Sequence, residues 1–222
     1  MKQFDEDLAA VHKRLVEMGT LAETMLETAI QVLTGHSQDA FQSVVDSEQT
    51  MDQMQLDIDQ EVVRLLTVYG PVASDLRYLL TVSKVTSNLE RIGDQAVNMC
   101  ETLRLMKNQS ERSTQPQLSH MAQLVQNMLQ QSLSAYINKD AKAPETIMGQ
   151  DDVIDSINDQ IARELLSDDI VREAIKAPQD IANIMAQILV ARSLERIADQ
   201  ACNICEEVYY LVKGDDVRHS EG

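Results

Sequence analysis

The residues of this chain with the most capacity for chemistry are carboxylates set one helical turn apart. Glu90, Asp94, Asn98 and Glu101 have that spacing, and 105 positions later Glu195, Asp199, Asn203 and Glu206 repeat it. Residues 89–101 read LERIGDQAVNMCE and residues 194–206 read LERIADQACNICE. Ten of the thirteen positions are identical, among them every acidic residue, the arginine and the asparagine. A need for helix alone would retain only the apolar positions, so something constrains the polar face in both copies.

At roughly 100° per residue, Glu90, Asp94, Asn98 and Glu101 fall at about 0°, 40°, 80° and 20°, while Ile92, Ala96, Met99 and Leu103 centre near about 210°. The carboxylates therefore point away from the apolar seam, and the second copy does the same opposite Ile197, Ala201, Ile204 and Val208. Each set is expected on an outer face and not inside a bundle. A second helix in each unit adds a pair with the same spacing: Glu48 with Asp52, and Asp151 with Asp155. Both pairs flank apolar seams, Met51 and Met54 in one case, Ile154 and Ile157 in the other. If those helices lie beside the repeated ones, four or more carboxylates converge.

Like charges one turn apart cost a helix about 0.2–0.5 kcal/mol per pair, and converging pairs raise one another's pKa unless a cation sits among them. Oxygen-only donors suit magnesium, calcium, manganese or iron; zinc is a less natural occupant without histidine or cysteine in the set. With 36 acidic residues in the chain, a merely solvated face is the bland alternative. The duplication of Asn and Arg along with the acids favours cation binding. Arg91 and Arg196 read as intramolecular partners of the acidic faces, with anion ligands as the less favoured alternative.

The elements that position these residues are helices. Leu8, Val11, Leu15, Met18, Ala22, Met25, Ala29 and Val32 give a seam over about residues 4–34. Met51, Met54, Ile58, Val62 and Leu65 give a second over about 38–68, stopped by Gly70 and Pro71. A third carries Val82, Val85, Leu89, Ile92, Ala96, Met99, Leu103 and Met106. Residues 107–117 hold no apolar side chain and read as a linker. The order then returns: Leu118, Met121, Val125, Met128, Leu133 and Tyr136; then Ile147, Ile154, Ile157, Ile161 and Leu165; then a broken stretch over 167–177; then a last helix from Pro178 to Lys213. Long helices joined by short turns lie antiparallel. The expected fold is all-α, two tandem three-helix bundles related by an internal repeat, residues 1–110 and 111–222, with one continuous helical array as the alternative.

Composition agrees: seven glycines, four prolines and eleven methionines in 222 residues, with no strand signal. A net charge of -17 and no segregated basic patch argue against nucleic-acid or anionic-membrane binding. The acidic N-terminus and the lack of a long apolar run lead us to expect a soluble, cytoplasmic protein. Cys100, Cys202 and Cys205 do not make a disulfide framework and read as buried or half-buried thiols.

Three functions compete. The first is a metal-dependent regulatory adaptor without chemistry of its own: no phosphate-binding loop or nucleophile elbow occurs, and His12, His36, His120 and His219 share no pattern. The second, a carboxylate-bridged di-iron enzyme, needs Glu three residues before His, projecting into a core. Here Ala9, Leu33, Gln117 and Asp216 hold those places. The third is a scaffold whose acidic faces dock a basic partner.

At the repeated segment the chain resembles the PhoU family of bacterial phosphate-transport regulatory proteins. The signature of leucine, glutamate, arginine, isoleucine, a small residue and aspartate occurs at 89–94 and 194–199. Pro71 to Arg77, the opening Phe4 to Leu8 and the Met18 Gly19 pair are family-like too. The resemblance implies metal sites on the bundle surface, with Glu90, Asp94, Asn98, Glu195, Asp199 and Asn203 as ligands, and Glu48, Asp52, Asp151 and Asp155 completing them. Manganese, iron, magnesium or zinc are the ions in view. It further implies a negative regulator of phosphate uptake and phosphate-responsive signalling, acting through a phosphate ABC transporter's ATPase subunit and a sensor histidine kinase, and it is compatible with a homodimer. Ala198 stands where the second signature usually has glycine. Gln49 and Asp152 stand where a basic residue often follows the first carboxylate of the helix-two and helix-five pairs, making both sites more negative than usual.

Overall fold

The computed structural model describes residues 2–35, 40–105, 116–175 and 178–215. Among them the chain forms seven α-helices and no strand: α1 (Lys2–Leu33), α2 (Phe41–Tyr69), α3 (Ala73–Leu105), α4 (Pro116–Asn138), α5 (Ala143–Leu165), α6 (Asp168–Ala174) and α7 (Pro178–Lys213). The expected seams face inward. Val11, Leu15, Met18, Ala22, Met25 and Ala29 of α1 are buried, as are Met51, Ile58, Val62 and Leu65 of α2, and Ile147, Ile154, Ile161 and Leu165 of α5. Leu8, Val32, Met54 and Ile157 are only half-buried at the edges of this core.

The α2–α3 turn is short because Gly70 takes a left-handed conformation, φ +53°, and donates its N–H to the carbonyl of Leu66 at 3.1 Å. That cap closes the last turn of α2 and reverses the chain, so α3 runs back along α2. Helices α1, α2 and α3 pack on one another, and α4, α5 and α7 do likewise. Two three-helix bundles result.

The bundles share one core. Among the described residues the most extensive helix contact is between α3 and α7, and α1 also packs on α4. Helices α3 and α7 are therefore buried beyond their seams: Thr81, Thr86 and Cys100 on one, Ala191, Ala198 and Cys205 on the other. An ion pair crosses this junction, Lys84 Nζ to Glu207 Oε1 at 3.1 Å, with the ammonium 5.5 Å from the centre of the Tyr210 ring.

Two local expectations are corrected. The stretch 167–177 is not simply broken: it holds α6, seven residues packed on α5 and α7, entered through an extended Ser167. The linker also ends earlier than residue 117, because Pro116 opens α4, where its fixed φ suits a first helical turn. The rest of that linker, and Met106, lie outside the described residues.

Candidate metal centre

Met51 is buried, and that orientation of α2 leaves Glu48 half-buried and Asp52 exposed on the side facing α3. From α3, Glu90 and Asp94 come half-buried to the same groove, while Asn98 and Glu101 are exposed further along. Close approach of the helices is possible because residue 93 is glycine. A Cβ there would stand 3.3 Å from Cε of Met25 and 3.4 Å from Cγ of Met51.

The electrostatics show which carboxylates meet. Glu48 is raised above its ordinary pKa, first by burial and then by Asp52, Asp94 and Glu101. Glu90 is raised by burial, then by Asp94 and Asp52, with Arg91 partly offsetting them. Asp94 is raised by burial and by Asp52. Glu48, Asp52, Glu90 and Asp94 thus form one mutually repelling group, with Glu101 at its edge.

The second unit repeats this between α5 and α7. Burial, then Asp199 and Asp155, push Asp151 up to about 6. Glu195 is raised by burial, Asp199 and Asp155, against the opposing fields of Arg192 and Arg196. Asp199 is raised by burial and Asp155, with Arg196 opposing. Asn203 and Glu206 are half-buried on later turns, and the Glu206 carboxylate helps raise the Cys202 and Cys205 thiols.

No lysine or arginine among the described residues closes an ion pair on Glu48, Asp52, Glu90, Asp94, Asp151, Asp155, Glu195 or Asp199. Arg91 and Arg196, expected to be intramolecular partners, act on the strips only through their longer-range fields. Oδ1 of Asp151 is shut off from solvent with no N–H or O–H donor on it, and the Cys202 thiol beside the carboxyl is the group that favours its ionised form. An unpaired buried carboxylate oxygen is costly, and the donor chemistry around it fits a divalent cation. Among the described residues no three His, Cys, Asp or Glu side chains already stand in a ligating arrangement, so binding an ion requires the exposed members to turn inward.

Sequence reasoning missed one member of this group. Cys202 on α7 lies against Asp151, and the signal was its place three residues after Asp199, on the same side of the helix. All three cysteines are free and buried.

These features define a class of protein: all-helical, built from two repeated three-helix units, each with an acidic groove between its second and last long helices. The family model for the PhoU domain matches residues 15–103 and again 118–208. A phosphate-specific transport system accessory protein PhoU homolog of Pseudomonas putida is 34% identical over 219 residues, covering 98% of this chain and 84% of that protein. The crystal structure of PhoU from Pseudomonas aeruginosa superposes with a TM-score of 0.87 at 33% identity, covering 96% of this chain and 100% of that one. That of the phosphate transport system regulatory protein PhoU from Streptococcus pneumoniae gives 0.83 at 26% identity, covering 96% and 99%. The chain belongs to the PhoU family.

Proposed function

We propose that this protein is a cytoplasmic, metal-binding regulator accessory to a phosphate-specific transport system. It restrains uptake through the transporter's ATPase subunit and reports phosphate sufficiency to a partner sensor histidine kinase, acting as a homodimer and without catalysis of its own. The observation that carries the metal reading is the pair of acidic grooves, each with four carboxylates, equivalent in the repeat and free of ion pairs. The names of its relatives, full-length and at similar identity, support the transport role. No helix among the described residues is long and apolar enough to cross a membrane, which suits a partner of a transporter rather than a channel of that kind.

In this reading Glu48, Asp52, Glu90 and Asp94 hold a cation between α2 and α3, and Asp151, Asp155, Glu195 and Asp199 hold one between α5 and α7. Asn98, Glu101, Asn203 and Glu206 extend the two seats along the helices. An ion in either seat supplies positive charge that turns mutual repulsion into a tie between neighbouring helices. The protein's part is to bring the oxygens together on rigid helices and to leave one side open for exchange with solvent.

Calorimetric titration of the full chain with manganese, iron, magnesium and zinc tests the metal reading. Saturable binding is expected, and Glu90→Ala with Asp94→Ala should abolish it in one unit only. Negligible heat with all four ions would favour an acidic docking scaffold instead. Deletion of the encoding gene tests the pathway: phosphate-responsive transcription should rise in phosphate-replete cells, and unchanged expression would remove the assignment.

A further inference from the structure

The repeat retains two polar residues that the cation seats leave unused: Arg91 and Gln95 on α3 return as Arg196 and Gln200 on α7. Both arginines are exposed, and among the described residues neither holds an ion pair or a hydrogen bond. Two contacts fix the register of α3 against α7. Lys84 meets Glu207 at 3.1 Å, and seven residues earlier Arg77 lies against Gly214, where a Cβ would stand 3.4 Å from its guanidinium. The helices therefore run antiparallel, and Arg91, seven residues on from Lys84, is level with Gln200, seven back from Glu207. By the same count Gln95 is level with Arg196. Two arginine–glutamine rungs, one turn apart, cross the seam between the bundles.

These rungs open on the face away from α1 and α4. Val85 and Leu89 turn the other way, onto Leu15 and Gly19 of α1 and Leu133 of α4. Arg91 stands about 200° round α3 from Leu89 and within about 20° of Lys84. Gln95 and Gln200 are half-buried in the seam, and Oε1 of Gln200 is shut off from solvent with no donor on it. The two arginines are offset by about 6 Å along the seam, between helices whose axes pack about 8–10 Å apart. Two arginine side chains can close that gap on one anion. An N–H of Arg91 turned into the seam also supplies the donor that Gln200 lacks. Two guanidiniums drawn in together repel each other unless an anion lies between them.

Offsetting the charge of the acidic strips does not explain the arrangement, because that needs only positive charge nearby and not a glutamine level with each arginine. An extended polyanion does not fit the face either. The strips flank the arginines closely enough for Arg91 to act on Glu90 and Arg196 on Asp199, so a nucleic acid or an anionic membrane laid there would meet carboxylates on both sides. We propose that the α3–α7 seam binds one compact inorganic oxyanion of the phosphate type, held by Arg91 and Arg196 and by the amides of Gln95 and Gln200. Each guanidinium presents paired N–H donors that match two oxygens of such an anion, and each carboxamide adds a neutral donor. The site draws equally on both bundles, so the bound anion ties them at their junction. It uses none of the carboxylates assigned to the cations and stands or falls apart from those seats.

Calorimetric titration of the full chain with inorganic phosphate, run in chelator and again in magnesium, tests this. Saturable binding of one phosphate per chain is expected in both buffers, with sulfate competing. Arg91→Gln with Arg196→Gln should weaken it about tenfold or more, because charge-assisted hydrogen bonds are lost. Arg91→Lys with Arg196→Lys, which keeps the charge and loses the fork, should fall between that variant and the wild type. Arg163→Gln, which removes an exposed charge from α5, should bind as the wild type does. These are surface substitutions, so the melting temperature should not change. Phosphate binding that appears only in magnesium and survives the arginine substitutions places the anion on the cation seats and overturns the seam site. No binding by the wild type in either buffer overturns it as well, while metal binding in the grooves, measured separately, is untouched by that result.

Discussion

Replacing Asp151 with asparagine should make the metal-free protein more stable at neutral pH. In the folded chain, burial and the neighbouring Asp199 and Asp155 push this carboxyl from an ordinary 3.8 up to about 6. The folded state thus binds the proton more tightly than the unfolded state, and above pH 6 the ionised group opposes folding. Two pKa units correspond to about 3 kcal/mol, and solvent screening of a partly exposed group leaves roughly half of that, about 1.5 kcal/mol. For a chain of this size the gain is a rise in melting temperature of about 3–6 °C. The opposition to folding fades as pH falls through 6 and is gone below 3.8, so the advantage of Asp151→Asn should vanish by about pH 4. Thermal unfolding followed by circular dichroism, with chelator at pH 7.5 and at pH 4, measures it. With an ion at a hundred times its dissociation constant, binding to the folded wild type contributes about 2.7 kcal/mol, which exceeds 1.5 and reverses the order. A variant no more stable than wild type in chelator at neutral pH, or one whose advantage persists at pH 4, would refute the repulsion argument.

Lys84→Ala should destabilise by about 1–3 kcal/mol, because it takes the ammonium from a Glu207 carboxylate that is 5% exposed. The urea midpoint should fall with the slope unchanged, and a shift below about 0.3 kcal/mol would show the pair to be unimportant to the α3–α7 junction. Gly93→Val should cost about 1–3 kcal/mol by forcing Met25 and Met51 aside, and should weaken ion binding at the first groove while leaving the second intact. Equal loss in both grooves by calorimetry would contradict their independence. Gly149→Ala should raise stability by about 0.5–1 kcal/mol, since the position is inside α5 and an added Cβ meets nothing within 4 Å. A loss there would indicate that the groove side of α5 tolerates less than its open surroundings suggest.

The long helices were legible because each repeats its apolar period five or more times, as Val11 to Ala29 does in α1, and because stops such as Gly70 after α2 are left-handed glycines. Helix α6 was not, because seven residues hold only about two turns and Ile170, Val171 and Ala174 cannot establish a period. Pro116 misled for a different reason: the same fixed φ that suits a linker also suits a helix's first turn. The carboxylates of each strip could be placed on one face by arithmetic within a helix. Which α2 residue meets which α3 residue depends on crossing geometry, set here by Gly93 against Met25 and Met51, and no periodicity within one element encodes it. The pairing of Cys202 with Asp151 across α5 and α7 was hidden on the same ground.

The internal repeat separates what a shared task demands from what packing demands. Between the equivalent stretches of α3 and α7, Glu90, Arg91, Asp94, Asn98 and Glu101 return unchanged at 195, 196, 199, 203 and 206. Elsewhere on the same two helices, by contrast, Thr81, Lys84, Thr86 and Asn88 of α3 have Ala186, Leu189, Ala191 and Ser193 of α7 as their counterparts in the repeat. All but Lys84 and Leu189 of these are buried, so burial alone did not preserve them. Junction residues need only complement one another, and two copies meeting across a shared surface can diverge together. A carboxylate strip has no such freedom if each copy must present the same donors to the same kind of ion. Retention of repelling acids, against a folding penalty of about 1.5 kcal/mol for Asp151 alone, is what a binding role predicts and what a merely solvated face does not. Within the thirteen repeated residues the divergences are Gly93 against Ala198, Val97 against Cys202 and Met99 against Ile204, none of which alters an acid, so the repeat holds the charge pattern fixed while the packing beside it varies.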